Sequence, residues 1–250
     1  MFRALCNYLV FPIRRLSLPW RFADYEESSH SYLSLNLGDF PTDIAKGMSE
    51  VSLRDCLFYY WILEQIPWQP HARTRRALDL GSMSFYYAPA LALFLSKRLD
   101  PEVMIEALEV DPYRRYRDFY RRGDYAHYYV KLTKEFLKRC KLSYKQGDWL
   151  SYSKDDKFDL ITCFFPFLYA DQSDAWGLPR SLFQPQGFYK KCLRQSDTVV
   201  FFHQGDEEYA TSKDLLEEIG ANEITYEGRF FENPWVKRKH PVYVLLVRPT

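Results

Sequence analysis

Side chains able to do chemistry are few in this chain, and one group of them is compact. His203, Gln204, Asp206, Glu207 and Glu208 follow an apolar run, Thr198-Val199-Val200-Phe201-Phe202. An imidazole titrates near neutrality, so His203 is a candidate general base. The alternative is a polar loop with a solvated acidic cluster. Tyr86 is a second catalytic candidate. With Tyr87 it can close over a ligand, or one of the two packs inward at the start of a helix. Arg114, Arg115, Arg117, Arg121 and Arg122 suit phosphate or RNA, or the solvated face of a helix. Lys237-Arg238-Lys239-His240 carries the same pair of readings.

Composition narrows the function classes. Thirty-four Lys and Arg against 33 Asp and Glu argue against a dedicated nucleic-acid binder. The five cysteines, Cys6, Cys56, Cys140, Cys163 and Cys192, include no C-x-x-C pair, so no zinc site or redox motif is legible. Their odd, scattered distribution suits a reducing, cytoplasmic setting. The opening MFRALCNYLVFPIRRLSLPW is interrupted by Asn7, Pro12 and Arg14-Arg15, so no transmembrane segment is expected there. Nor does a cleavage site for a signal peptide follow it. A helix packed on the domain and a weak membrane-surface contact both remain open for it. The 20 Tyr, 19 Phe and 6 Trp suit a bulky core or aromatic-lined clefts.

The elements that must position these residues begin with Ser52 to Ile66, apolar around most of a helical circumference. Pro67-Trp68-Gln69-Pro70 ends that helix. It marks a boundary between a mainly helical N-terminal extension, residues 1–72, and a domain over residues 73–250. From there strands and helices alternate. Strands are expected at 75–80, 103–109, 142–146, 158–163, 197–203, 223–231 and 241–248. Helices are expected at 86–99, from Pro112 past Tyr120, from Tyr125 to Cys140, at 181–193, and from Ser212 to Ile219 with Gly220 as its cap. Such alternation implies an α/β fold with a parallel sheet covered on both faces. Only Glu232 to His240 separates the last two strands, so they should pair as an antiparallel hairpin.

This order resembles the Rossmann-like fold of class I S-adenosylmethionine-dependent methyltransferases, with a mostly parallel seven-stranded sheet and a C-terminal antiparallel hairpin strand. The resemblance covers residues 73–250 and rests on four stretches, each at the carboxyl end of a strand. In Leu78-Asp79-Leu80-Gly81-Ser82-Met83-Ser84-Phe85, Asp79 and Gly81 match the family's acid and first glycine. Met83 and Phe85 stand where it has two further glycines, so they either line the ligand pocket or plug it. Ser82 lies in the same turn, which feeds a helix N-terminus suited to a carboxylate. In Leu108-Glu109-Val110-Asp111, Glu109 matches the acid that accepts from the ribose hydroxyls, with Asp111 as the alternative. In Gln146-Gly147-Asp148-Trp149, Asp148 matches an acceptor for the adenine amino group, and Trp149 can stack on the base. Phe158 to Phe167 matches the fourth strand and the loop over the methyl group, with Phe164 at the strand's end. Only Pro166 and Phe167 agree with the Asn/Asp-Pro-Pro-aromatic motif of amino methylation, which is therefore not implied.

The resemblance implies an S-adenosyl-L-methionine-dependent methyltransferase acting on a small-molecule or protein acceptor. The alternative is a methyltransferase-like binding or scaffold protein without catalysis. A nicotinamide-dependent oxidoreductase would need G-x-G-x-x-G after the first strand, which is absent. Trp176-Gly177-Leu178-Pro179, in the long loop after the fourth strand, suits an ordered lid. The N-terminal extension is suited to covering the site or pairing subunits in a homodimer.

Overall fold

The computed structural model describes residues 10–13, 37–70, 76–99, 102–153, 157–220, 223–233 and 237–249. Of the opening segment only residues 10–13 fall within these. They are helical, with Phe11 buried. Cys6 and residues 71–75, where the expected domain boundary falls, lie outside the described residues.

Seven strands form one sheet: β1 (Arg76–Leu80), β2 (Val103–Glu109), β3 (Cys140–Gln146), β4 (Leu160–Phe164), β5 (Val199–Gln204), β6 (Ile224–Glu232) and β7 (Lys237–Val247). Their spatial order is β3-β2-β1-β4-β5-β7-β6. The first five pair in parallel, and β7 runs antiparallel to both β5 and β6. The order reverses between β1 and β4, the position where open α/β sheets part their loops to form a crevice.

Both faces are covered, and the strand residues sort by the period of two. Ala77, Ile105, Ala107, Val200 and Phe202 face one core, which they share with α1 (Thr42–Lys46), α2 (Glu50–Gln65), α3 (Ala88–Arg98) and α4 (Arg122–Phe136). Leu78, Leu80, Ile161, Cys163, Val199 and Phe201 face the other. There α6 (Pro185–Arg194) contributes Tyr189 and Cys192, and α7 (Gly205–Glu218) contributes Leu215 and Leu216. Residues 40–66 thus belong to the main core. Ser49 caps α2 by accepting from the Ser52 N–H at 3.2 Å. Arg238 of β7 pairs with Asp55 of α2 at 2.8 Å, its guanidinium 4.4 Å from the Phe58 ring. The expected solvated loop at 237–240 is therefore strand, and Arg238 is half-buried in it.

Three other expectations are corrected. Pro112 does not open a helix. Residues 112–121 form a compact turn in which the Tyr116 N–H donates to the Tyr120 carbonyl at 2.8 Å, and Phe119 takes φ +70°. The helix starts only at Arg122, after the Asp124 carboxylate accepts the Arg121 N–H at 2.5 Å. Arg121 and Arg122 are consequently buried rather than solvated. Lastly, α7 begins at Gly205, well before Ser212. Asp206, Glu207 and Glu208 make up its first turn, where the helix dipole favours negative charge.

Candidate active site

A cavity of about 580 Å³ opens at the carboxyl ends of β1, β2, β3 and β4, beside the reversal in strand order. All four stretches singled out in the sequence reach its wall, through Gly81 and Met83, Glu109, Asp148 and Trp149, and Phe164 to Phe167.

The first turn keeps a left-handed backbone at alternate residues without keeping the glycines. Gly81 has φ +70°, Met83 +47° and Phe85 +51°. An L side chain in that region costs on the order of 1 kcal/mol, so the surroundings must hold it there. Phe85 is fully buried in the core shared with α2 and α3, turned away from the cavity, its ring 5.4 Å from that of Tyr87. Met83 donates its N–H to Glu109 at 2.8 Å and lines the cavity wall. A Cβ built on Gly81 would meet no atom within 4 Å, so the backbone there fronts open space.

Asp79 and Ser82 do not line the cavity. Asp79 is fully buried, accepting from Tyr87 Oη at 2.8 Å and Thr162 Oγ1 at 2.6 Å. Burial pushes its carboxyl up to about 7, although both hydroxyls pull the other way. Ser82 Oγ donates to the Asp79 carbonyl at 3.1 Å. These two hold the turn to the sheet.

Glu109 is buried in the wall, and its carboxylate is already engaged. Oε2 accepts from the Met83 N–H, and Oε1 from the Asp111 N–H at 2.8 Å and Arg122 Nη1 at 3.3 Å. Asp111 is buried and does not reach the cavity. Asp148 ties down its own turn, accepting from the N–H groups of Leu150 at 3.1 Å and Ser151 at 3.3 Å. Lys191 of α6 braces that turn from behind. Its ammonium donates to the Trp149 carbonyl at 2.6 Å and the Leu150 carbonyl at 3.1 Å, and lies 4.7 Å from the Trp149 ring. Phe164 stacks on Phe202 at 3.9 Å.

Residues 165–184 cross over the cavity and include α5 (Ala170–Ala175). Both ends of this lid are tied. On one side Tyr169 Oη lies 2.7 Å from Thr211 Oγ1, and Gln172 Nε2 donates to Glu208 at 2.7 Å, both partners on α7. On the other side the Trp176 carbonyl accepts from Arg114, and the Arg122 guanidinium lies 4.3 Å from the Trp176 ring. The expected lid residue Trp176 is thus a fixed point.

The two catalytic candidates do not reach the cavity. Tyr86 packs against Tyr59 of α2 at 6.2 Å and Tyr87 at 5.5 Å, because the start of α3 faces α2. His203 is fully buried beside Phe201, and neither ring nitrogen has a hydrogen-bonding partner. Burial pushes its imidazole down to about 3, so it is neutral and enclosed at ordinary pH. The neighbours of His203 that do line the cavity are Gln204, at the end of β5, and Glu208, at the start of α7. The sequence singles out this group, but names His203 rather than Glu208 as its base. Arg122 is named in the sequence only among the phosphate-binding or solvated arginines, and Gln172 is not singled out there.

Among the described residues no cluster of His, Cys, Asp and Glu is placed to hold a metal ion, and no helix is long and apolar enough to cross a membrane. Cys56, Cys140, Cys163 and Cys192 are buried free thiols.

No protein-family model matches the chain, and no curated protein matches it. Solved structures do. A Listeria monocytogenes protein assigned to the class I S-adenosylmethionine-dependent methyltransferases is 15% identical, with TM-score 0.52, over 88% of this chain and 72% of that one. Magnesium protoporphyrin IX methyltransferase from Synechocystis, solved with bound S-adenosylmethionine, is 11% identical, with TM-score 0.50, over 87% and 86%. The sheet order and the antiparallel β7 agree with these neighbours, so the class I methyltransferase fold is established.

Proposed function

We propose that the chain binds S-adenosylmethionine in this cavity and is a methyltransferase. The observation that carries the reading is the alternating left-handed backbone at Gly81, Met83 and Phe85. The conformation that three glycines would give is kept at an energetic cost, and the bulkiest side chain, Phe85, is directed into the core. The space in front of Gly81 stays open, which fits a ligand lying against the turn. A volume of about 580 Å³ suits a nucleoside-sized ligand.

When bound, the cofactor supplies a methyl group made electrophilic by its sulfonium. The chain's share is binding and alignment. Glu109 retains one acceptor position on Oε2 for a ribose hydroxyl, and the Arg122 guanidinium beside it adds donors. Asp148 and Trp149 are assigned to the adenine. Phe164, Phe165 and the lid exclude water from the remainder.

A binding or scaffold protein without catalysis is the second reading, favoured by the three donors already on Glu109. Calorimetric titration with S-adenosylmethionine and S-adenosylhomocysteine tests the cofactor claim common to both enzyme and cofactor-binding relic. Heat from each ligand, lost in Glu109→Ala, is expected. Absence of both heat and thermal shift with either ligand refutes the enzyme.

A further inference from the structure

Resting on the methyltransferase reading, we propose that the acceptor is a small, uncharged hydroxyaromatic molecule and that Glu208 takes the proton of its hydroxyl group. The part of the cavity under the lid is lined by Phe165, Pro166, Phe167, Trp176, Leu178 and Phe183, surfaces that complement a flat ring. Among the described residues the charged residues of the wall are Glu109, Asp148, Asp171 and Glu208 against Arg122, an excess of negative charge that opposes phosphate-bearing acceptors.

Glu208 is held in one orientation. One carboxylate oxygen accepts from the Gln204 N–H at 2.7 Å and the other from Gln172 Nε2 at 2.7 Å. The Gln172 amide cannot turn over, because its oxygen is bound by the N–H groups of Leu168 at 3.0 Å and Tyr169 at 3.2 Å. Both donors to Glu208 are neutral, so its charge is not cancelled by a cation in these bonds. Each oxygen keeps a free acceptor position. Partial burial raises the affinity of the carboxylate for a proton, with Glu207 adding to the effect.

The step balances. A lone pair of the acceptor oxygen forms the O–CH3 bond as the S–CH3 bond breaks, and that bonding pair stays on sulfur. The hydroxyl proton passes to Glu208. Sulfonium and carboxylate charges are both extinguished, leaving a methyl ether, a neutral thioether and a protonated carboxyl.

The test uses 2-naphthol and naphthalene as probes, which differ by the hydroxyl group alone. Their binding to the full chain is measured with and without S-adenosylhomocysteine. A hydroxyl donating to a carboxylate should make 2-naphthol bind roughly tenfold or more tightly than naphthalene. That ratio should fall towards one in Glu208→Ala and to an intermediate value in Gln172→Leu, which keeps the carboxylate but releases its orientation. If Glu208→Ala does not fold by circular dichroism, Gln172→Leu carries the test. Equal binding of the two probes by the parent, or a ratio that neither variant moves, overturns the proposal. So does displacement of 2-naphthol by a ten-nucleotide RNA at lower concentration than by unlabelled naphthol. Failure of the chain to bind S-adenosylhomocysteine would instead count against the methyltransferase reading, and the probe ratio would still report on Glu208.

Discussion

Replacing His203 by Met should make the protein more stable, and the gain should grow as the pH falls. The imidazole is fully enclosed, and neither nitrogen finds a partner. A buried polar group left unsatisfied costs about 1–3 kcal/mol, which an apolar side chain of similar size removes. The pH term follows from linkage. His203 is held down to about 3 in the fold, against about 6.5 in the unfolded chain. Between those values the unfolded state binds the proton and the native state does not, so stability is lost as the pH falls from about 6.5 towards 3. At pH 5 this amounts to about 2 kcal/mol. Urea unfolding should therefore show the variant ahead by about 1–3 kcal/mol at pH 8 and by about 3–5 kcal/mol at pH 5. A variant less stable than the parent at both pH values, or ahead by the same margin at both, would refute the reasoning. Cofactor affinity should not change, since His203 does not line the cavity.

Two further outcomes are expected. Asp79 has the opposite sign: its folded value, about 7, is raised above the unfolded 3.8, so its contribution to stability is complete below about 4 and is lost as the pH rises through 7. Asp79→Asn should remove about 3 kcal/mol of that pH dependence between pH 5 and 8, measured by urea unfolding. Lys191→Met should leave the carbonyls of Trp149 and Leu150 without their donor, costing about 1–3 kcal/mol and raising amide exchange across 149–152.

The strands, their parallel order and the closing hairpin were legible because both cores impose a readable period on β1, β2 and β5. Glu109, Asp148, Trp149 and Phe164 were legible as cavity residues because each ends or follows a strand, and the strand ends define the crevice. Depth was not legible. His203 also ends a strand, but β7 and α7 enclose it, and nothing within residues 198–204 announces that cover. Arg122 read as one of several exposed arginines because helical spacing of Tyr113, Tyr116 and Tyr120 suggested a helix. The left-handed Phe119 and the tight turn around it break that helix. Glu208 and Gln172 are brought together across 36 residues by lid packing, which has no local signature.

The first turn is a balance between backbone strain and core packing. Glycine at position 85 would relieve about 1 kcal/mol of backbone strain. Removing the buried Phe85 ring would forfeit about 3–5 kcal/mol of core packing. Phe85→Gly therefore runs uphill. The Phe85 ring is part of the core formed with α2 and α3, and that packing holds the turn in its strained shape. Any ligand entering beside Gly81 would meet a loop whose shape is already set by the core with α2 and α3.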